Sequence, residues 1–267
     1  MTTSTDILLR LSNVSKKFGG LTVTSDVSFD VPRGARMALI GPNGAGKTTI
    51  FNLISGFYQP DAGRIEVGGQ SILDYPSRKR IGLGIARSFQ NIRLMPHLSV
   101  IENVMLGQQA HAGSLVEMLK PLSFFGHSRW RSEAEALLEE MGLDTYPGEI
   151  VATLPYGVRK KIEVVRALAA RPKILLLDEP AAGLNGSETQ SLTEFLKGIS
   201  RSGVTLLVVE HDMGLVRELC DTAVVLNFGK KIYEGPTAEV QDDSLVLEAY
   251  LGPNHAKAAK SGAAHVA

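Results

Sequence analysis

Apolar and polar positions alternate from Ile7 to Val14 and again from Val23 to Val31, the pattern of strands with one face buried. Pro32, Arg33 and Gly34 supply a turn, and Arg36 to Ile40 reads as a third strand. Thr48 to Ser55 then places Ile50, Phe51, Leu53 and Ile54 on the buried side of a helix, which Gly56 stops. Gly63 to Val67, followed by Gly68-Gly69, predicts a strand and a tight turn. Ile174 to Leu177 and Thr205 to Val209 differ in being continuous apolar runs. Such runs suit strands buried on both faces of a parallel sheet, here joined through a helix from Ser187 to Ser200. A last hairpin runs from Thr222–Phe228 into Lys231–Glu234 and turns at Gly229.

Between Asn91 and about Tyr146 the pattern turns helical. Ser99 to Leu106 and Arg131 to Met141 are expected helices, the second with Ala134, Leu137, Leu138 and Met141 at helical spacing. His111 to Ser128 reads as a loop with a short helix. Ile162, Val165, Leu168 and Ala169 mark one more amphipathic helix, closed by Arg171-Pro172. The class is therefore α/β, as one domain over 7–252 with a helical part over about 91–170. From 253 to 267 the chain is Ala, Lys, Ser and Gly with Val266 as its single large apolar residue, so a disordered tail is expected. No internal repeat is visible.

The 267 residues carry 28 Lys plus Arg against 28 Asp plus Glu, so the net charge is zero. That balance argues against broad electrostatic binding of nucleic acid, and no nucleic-acid partner is expected. Cys220 is the one cysteine, which excludes an internal disulfide framework and fits a reducing compartment. No apolar stretch nears the roughly 18 residues a membrane span needs, and Met1 to Arg10 lacks the features of a secretory signal. A soluble, cytosolic protein is expected.

Gly41, Pro42, Asn43, Gly44, Ala45, Gly46, Lys47 and Thr48 follow the spacing G-x-x-x-x-G-K-T, continued by Thr49. Glycines there let backbone N–H groups converge on phosphate oxygens, and the helix that opens near Lys47 points its positive end at the same anion. Lys47 would reach the outer phosphates of a nucleotide and Thr48 would ligate Mg²⁺. Farther on, the run Ile174 to Glu179 is a buried strand ending in two carboxylates. In a parallel sheet, strand ends of this kind sit beside the ligand. Asp178 is placed to hold Mg²⁺ and Glu179 to polarise an attacking water.

These residues resemble the ATP-binding subunits of ABC transporters. Gln90, in Arg87-Ser-Phe-Gln-Asn91, is similar to the family's Gln loop, which touches the metal and the attacking water. His211, after the strand Thr205–Val209, is similar to the switch histidine, although a turn histidine between Glu210 and Asp212 is the plainer alternative. Ala181-Ala-Gly-Leu-Asn185 resembles the loop that touches the partner subunit. Phe18 stands where the family stacks an aromatic on adenine, or else joins Val14 and Leu21 in a small core cluster. The resemblance runs from about Leu8 to Gly252. It implies a phosphate-loop (RecA-like) core with an N-terminal antiparallel β subdomain and a helical insertion specific to these ATPases. It also implies ATP and Mg²⁺ as cofactors.

The signature departs from the family's Leu-Ser-Gly-Gly-Gln, reading Leu154, Pro155, Tyr156, Gly157 and Val158. The resemblance places this segment against the nucleotide of a second ATPase subunit, a like or a different chain. Pro155 removes a hydroxyl and an N–H but suits a first helical turn. Arg159, Lys160 and Lys161 are expected to keep the local field positive. Tyr156, the Ala181–Asn185 loop, the segment from Arg87 to Leu94 and the ending Glu248-Ala-Tyr-Leu-Gly252 look like the importers of branched-chain amino acids and related small polar solutes. That likeness implies transmembrane permease subunits, an extracytoplasmic solute-binding protein and a place at the cytoplasmic face of the membrane. An exporter ATPase or a soluble ABC ATPase is the alternative. A phosphate-loop kinase or GTPase would leave Gln90, the signature and His211 unexplained. Ile92 to His97 is expected to offer an apolar and basic face to a permease helix, unless Leu94 and Met95 belong to the insertion's own core.

Overall fold

A computed structural model describes residues 6–88, 92–109 and 129–251. Gln90, the segment 111–128 and the tail 253–267 lie outside the described residues. The N-terminal strands are β1 (Ile7–Phe18) and β2 (Leu21–Pro32), longer than their alternating cores because Gly19-Gly20 closes them as a hairpin. β1 also pairs with β4 (Ala62–Val67), which turns at Gly68-Gly69 into β5 (Gln70–Ser71). The result is an antiparallel sheet in the order β2-β1-β4-β5.

The second sheet, in the order β10-β9-β3-β8-β7-β6, holds the strands β3 (Arg36–Ile40), β6 (Ile85–Arg87), β7 (Ile174–Asp178), β8 (Thr205–Val209), β9 (Thr222–Asn227) and β10 (Lys230–Pro236). Only β10 runs antiparallel to its neighbour. The continuous apolar runs have the reason inferred for them. Ile174, Leu176, Leu207 and Val209 face one core with Leu39, Phe51 and Ile65. Leu175, Leu177, Leu206 and Val208 face a second core with Leu192, Leu196 and Val216. Each such side chain is worth about 1.5–3 kcal/mol over its exposed state.

The first core is closed by α1 (Lys47–Ser55), the second by α6 (Gly186–Arg201) and α7 (Met213–Leu219). α3 (Val100–Gln108), α4 (Arg129–Glu140) and α5 (Tyr156–Leu168) build a third, separate core around Val104, Leu138 and Ile162. Ser99 opens α3 with a reciprocal capping box to Glu102, as its position before the apolar run predicts. Three short helices have no counterpart in the pattern read from the sequence: α2 (Ser77–Arg80), α7 and, near the end, α8 (Ser244–Leu251). No helix among the described residues is long and apolar enough to cross a membrane.

Three local expectations are corrected. Pro155 is not the first helical residue; with φ −54° and ψ 149° it is extended and caps α5, which starts at Tyr156. Lys160, expected to keep the field at the signature positive, is 3% exposed and lies under the opposing charges of Glu163, Glu210 and Glu179. Lys161 donates to Ser191 Oγ. Leu94 is buried in the helical core, whereas Met95 next to it is half exposed.

Candidate nucleotide site

The loop from Gly41 to Gly46 leaves the carboxyl end of β3 and enters α1 at Lys47. Two of its glycines are required by the space around them. Gly41 has φ 146°, and a Cβ there would stand 2.1 Å from the Leu226 carbonyl oxygen. Gly46, at φ 103°, would bring a Cβ within 2.9 Å of the Val23 carbonyl. The loop is also held from the β9–β10 turn, where Gly229 N–H donates to the Ala45 carbonyl at 3.1 Å. Lys47 is 6% exposed and donates from Nζ to the carbonyls of Gly41 and Pro42 at 2.7 and 3.0 Å. Burial lowers its pKa, opposed by the carboxylates of Glu179 and Asp178. A cleft of about 180 Å³ opens here, lined among others by Asn43, Gly44, Thr48, Thr49, Glu179 and His211.

Both acids of the predicted strand end are in place. Glu179 sits at φ 47°, a strained position for a residue with a side chain, fixed by its N–H donating to the Val209 carbonyl at 2.8 Å. Its Oε1 lies 3.1 Å from His211 Nε2, so the catalytic and switch candidates meet directly. Asp178 is 7% exposed and binds Arg87 Nη2 through Oδ2 at 2.5 Å. Arg87 also donates to Asn52 Oδ1 at 2.8 Å and lies against the rings of Phe51 and Phe57.

The described residues contain no cluster of three His, Cys, Asp or Glu side chains suited to a metal. Magnesium bound to a nucleotide asks for less, one or two protein oxygens beside phosphates and water. Thr48 and the Oδ1 atom of Asp178 supply such a sparse set, so the residues fit Mg²⁺. Phe18 is 40% exposed with Leu21 at 67%, while Val14 is fully buried. The alternative of a small core cluster therefore does not hold. The Phe18 ring packs edge-on against Tyr58 at 5.0 Å, with Lys16 over it at 5.5 Å. Leu154 to Val158 do not line the cleft.

Two contributors escaped the sequence reading. Arg87 stands in the sequence only as the first residue of the Gln90 segment, and its partner Asp178 lies far along the chain. The other is Tyr250 on α8, whose phenol pKa is raised by burial and lowered in opposition by the backbone of Gly41. Its one sequence signal was the ending Glu248–Gly252.

Comparison with known proteins gives the same reading. The ABC transporter family profile matches residues 24–182. The chain is 39% identical to the high-affinity branched-chain amino acid transport ATP-binding protein BraF of Pseudomonas aeruginosa, over 92% of this chain and 98% of that one. It is 36% identical to LivG of Escherichia coli, of the same description, with the same coverage. A ribose import ATP-binding protein, RbsA of Caldanaerobacter subterraneus, is 33% identical over 90% of this chain and 47% of its own length. Among solved structures, a nucleotide-free ATP-binding cassette from an ABC transporter superposes with TM-score 0.82 at 28% identity, covering 92% of this chain and all of that one. The ADP conformation of an ATP-binding cassette of an ABC transporter gives 0.79 at 29%, covering 92% of this chain and 99% of its own. With the phosphate loop, the acidic strand end and the histidine in one cleft, the chain belongs to the ABC transporter family and is an ATP-binding, ATP-hydrolysing subunit.

Proposed function

We propose that this chain hydrolyses Mg·ATP to power uptake of branched-chain amino acids or related small polar solutes, working with permease subunits at the cytoplasmic face of a membrane. The observation that carries the hydrolytic reading is the Glu179–His211 pair at 3.1 Å, in the cleft that Lys47 and Thr48 share. Phe18 offers its ring to adenine. The loop N–H groups and Lys47 hold the phosphates, Lys47 leaving the carbonyls it now binds. Thr48, Asp178 and Gln90 would hold Mg²⁺, which neutralises phosphate charge and orients the outer phosphate. Glu179 accepts the proton of the attacking water as its oxygen bonds to the γ-phosphorus, and the electron pair of the broken P–O bond leaves with ADP. His211 steadies Glu179 and the γ-phosphate oxygens.

Gly157 faces the γ-phosphate of a second ATPase subunit, which is another copy or a different chain. This supports a site shared between subunits, because Leu154–Val158 lie away from the chain's own cleft. Pro155 carries no hydroxyl, so the anion there is held by the backbone at the start of α5 and its dipole. The permease enters a groove of about 480 Å³ whose walls include Ile81, Arg87, Met95, Leu106 and Arg166. A solute-binding protein acts on the far side and sets the cargo. The test is transport in vesicles reconstituted with the cognate permease: Met95→Asp is expected to keep ATP binding and lose coupled uptake. Normal uptake by that variant would place the permease elsewhere.

A further inference from the structure

The signature's tyrosine has a place in the structure that phosphate binding does not explain. Tyr156 opens α5 where the family pattern has glycine, and its ring lies over Gly183, at which a Cβ would stand 3.3 Å from the ring. Its hydroxyl donates to the Ala182 carbonyl at 3.4 Å, and Arg159 and Lys160 flank the same ring at 5.5 and 5.7 Å. The loop beneath it is pinned from its other side. Ala181 N–H donates to Glu210 Oε1 at 2.8 Å, and Ala182 N–H donates to the Glu179 carbonyl at 3.1 Å. Glu210 is 4% exposed, and its second oxygen accepts the His211 N–H at 2.9 Å. A buried carboxylate that takes a separate N–H on each oxygen ties its two donors firmly together.

The contacts form an unbroken series from the cleft to the signature: Glu179 with His211, His211 with Glu210, Glu210 with Ala181, and Ala182–Gly183 with Tyr156. A glycine in place of Tyr156 would leave the last junction unmade. We infer that Tyr156 and Glu210 are positioning residues of a relay through Ala181–Gly183, which carries a change at the γ-phosphate of this chain's own cleft to its own signature helix. The inference rests on the ATP reading above. If the signature of one subunit serves the nucleotide of the other, the relay links the two sites of the pair. Glu179, held at φ 47°, is the strained hinge at its head.

Hydrogen exchange on the full chain, with and without Mg²⁺ and a non-hydrolysable ATP analogue, tests this. In the parent protein the analogue is expected to slow exchange about tenfold or more in both 41–49 and 156–161. In Tyr156→Ala the slowing persists at 41–49 and is lost at 156–161, whereas Tyr156→Phe, which keeps the ring on Gly183, retains most of it. Glu210→Gln turns an acceptor into a donor facing an N–H and should uncouple the two segments in the same way. If Tyr156→Ala unfolds, exchange also rises in 36–40 and 174–178, and Glu210→Gln then carries the test. Parent-like slowing at 156–161 in Tyr156→Ala or Glu210→Gln overturns the relay, as does slowing at 41–49 alone in the parent. No slowing at 41–49 in the parent overturns the ATP reading and the relay with it.

Discussion

Replacing Arg87 with Met removes the cation from a pair that is almost wholly out of water. The two side chains are 9% and 10% exposed, and their oxygen and nitrogen atoms meet at 2.5 Å. Met fills much of the space between Phe51 and Phe57, so the loss is electrostatic more than steric. Breaking a buried pair from one side leaves a carboxylate desolvated and costs about 3–5 kcal/mol. For a chain of this size each kcal/mol moves the melting temperature by about 2–4 °C, so a fall of about 6–20 °C is expected. Urea unfolding gives the free energy directly, and the cycle completed by Asp178→Asn separates the pair from its surroundings. The double variant should be less destabilised than the sum of the two single ones by about 2 kcal/mol or more. A loss under about 1 kcal/mol in Arg87→Met, or simple additivity, would refute the view that Asp178 depends on Arg87.

Gly41→Ala combines a left-handed φ with a Cβ 2.1 Å from the Leu226 carbonyl, so a stability loss of about 2–6 kcal/mol should appear in urea melts together with weakened ATP binding. Lys47→Ala removes the cation proposed to reach the outer phosphates, and a fluorescent ATP analogue should bind at least about tenfold more weakly. Burial holds the Cys220 thiol protonated to about 12, against 9.0 in the open chain. A folded pKa raised in this way stabilises the fold below pH 9 and withdraws that stability as pH climbs toward about 12. At pH 8 a thiol reagent should therefore modify Cys220 only as fast as the domain opens, at a rate that rises with urea; immediate reaction would contradict its burial.

Much of this molecule was legible because local pattern and tertiary position agree. β7 and β8 read as doubly buried strands and are so, and the phosphate loop lies between a strand and a helix as its spacing requires. Residues whose partners are distant were less legible. Arg87 meets Asp178 from a strand of three residues, too short to show a period. Lys160 belongs to a run of three cations expected to keep the field at the signature positive, yet its side chain is buried, with the carboxylates of Glu163 and Glu210 acting on it. Leu94 and Met95 are adjacent and apolar, and only the packing of α3 against α5 decides which is covered. In the sequence Glu210 is only the residue before His211; its three backbone N–H contacts, with Ala181, His211 and Asp212, come from the way two loops meet.

In the proposed function Glu179 removes the proton from the water that attacks ATP, in a site completed by a second ATPase subunit. Glu179→Gln keeps the shape of the side chain and the distance to His211 but cannot take up that proton. Sedimentation of this variant with Mg·ATP, alone and then mixed with the ATPase chain of a neighbouring gene, reads the shared site, and analysis of the bound nucleotide in the same samples reads the role of Glu179. Bound, unhydrolysed ATP and a two-subunit species in at least one of the two samples are expected. Hydrolysis at the parent rate would contradict the role of Glu179 as base, and a monomer with ATP bound under both conditions would contradict the shared site.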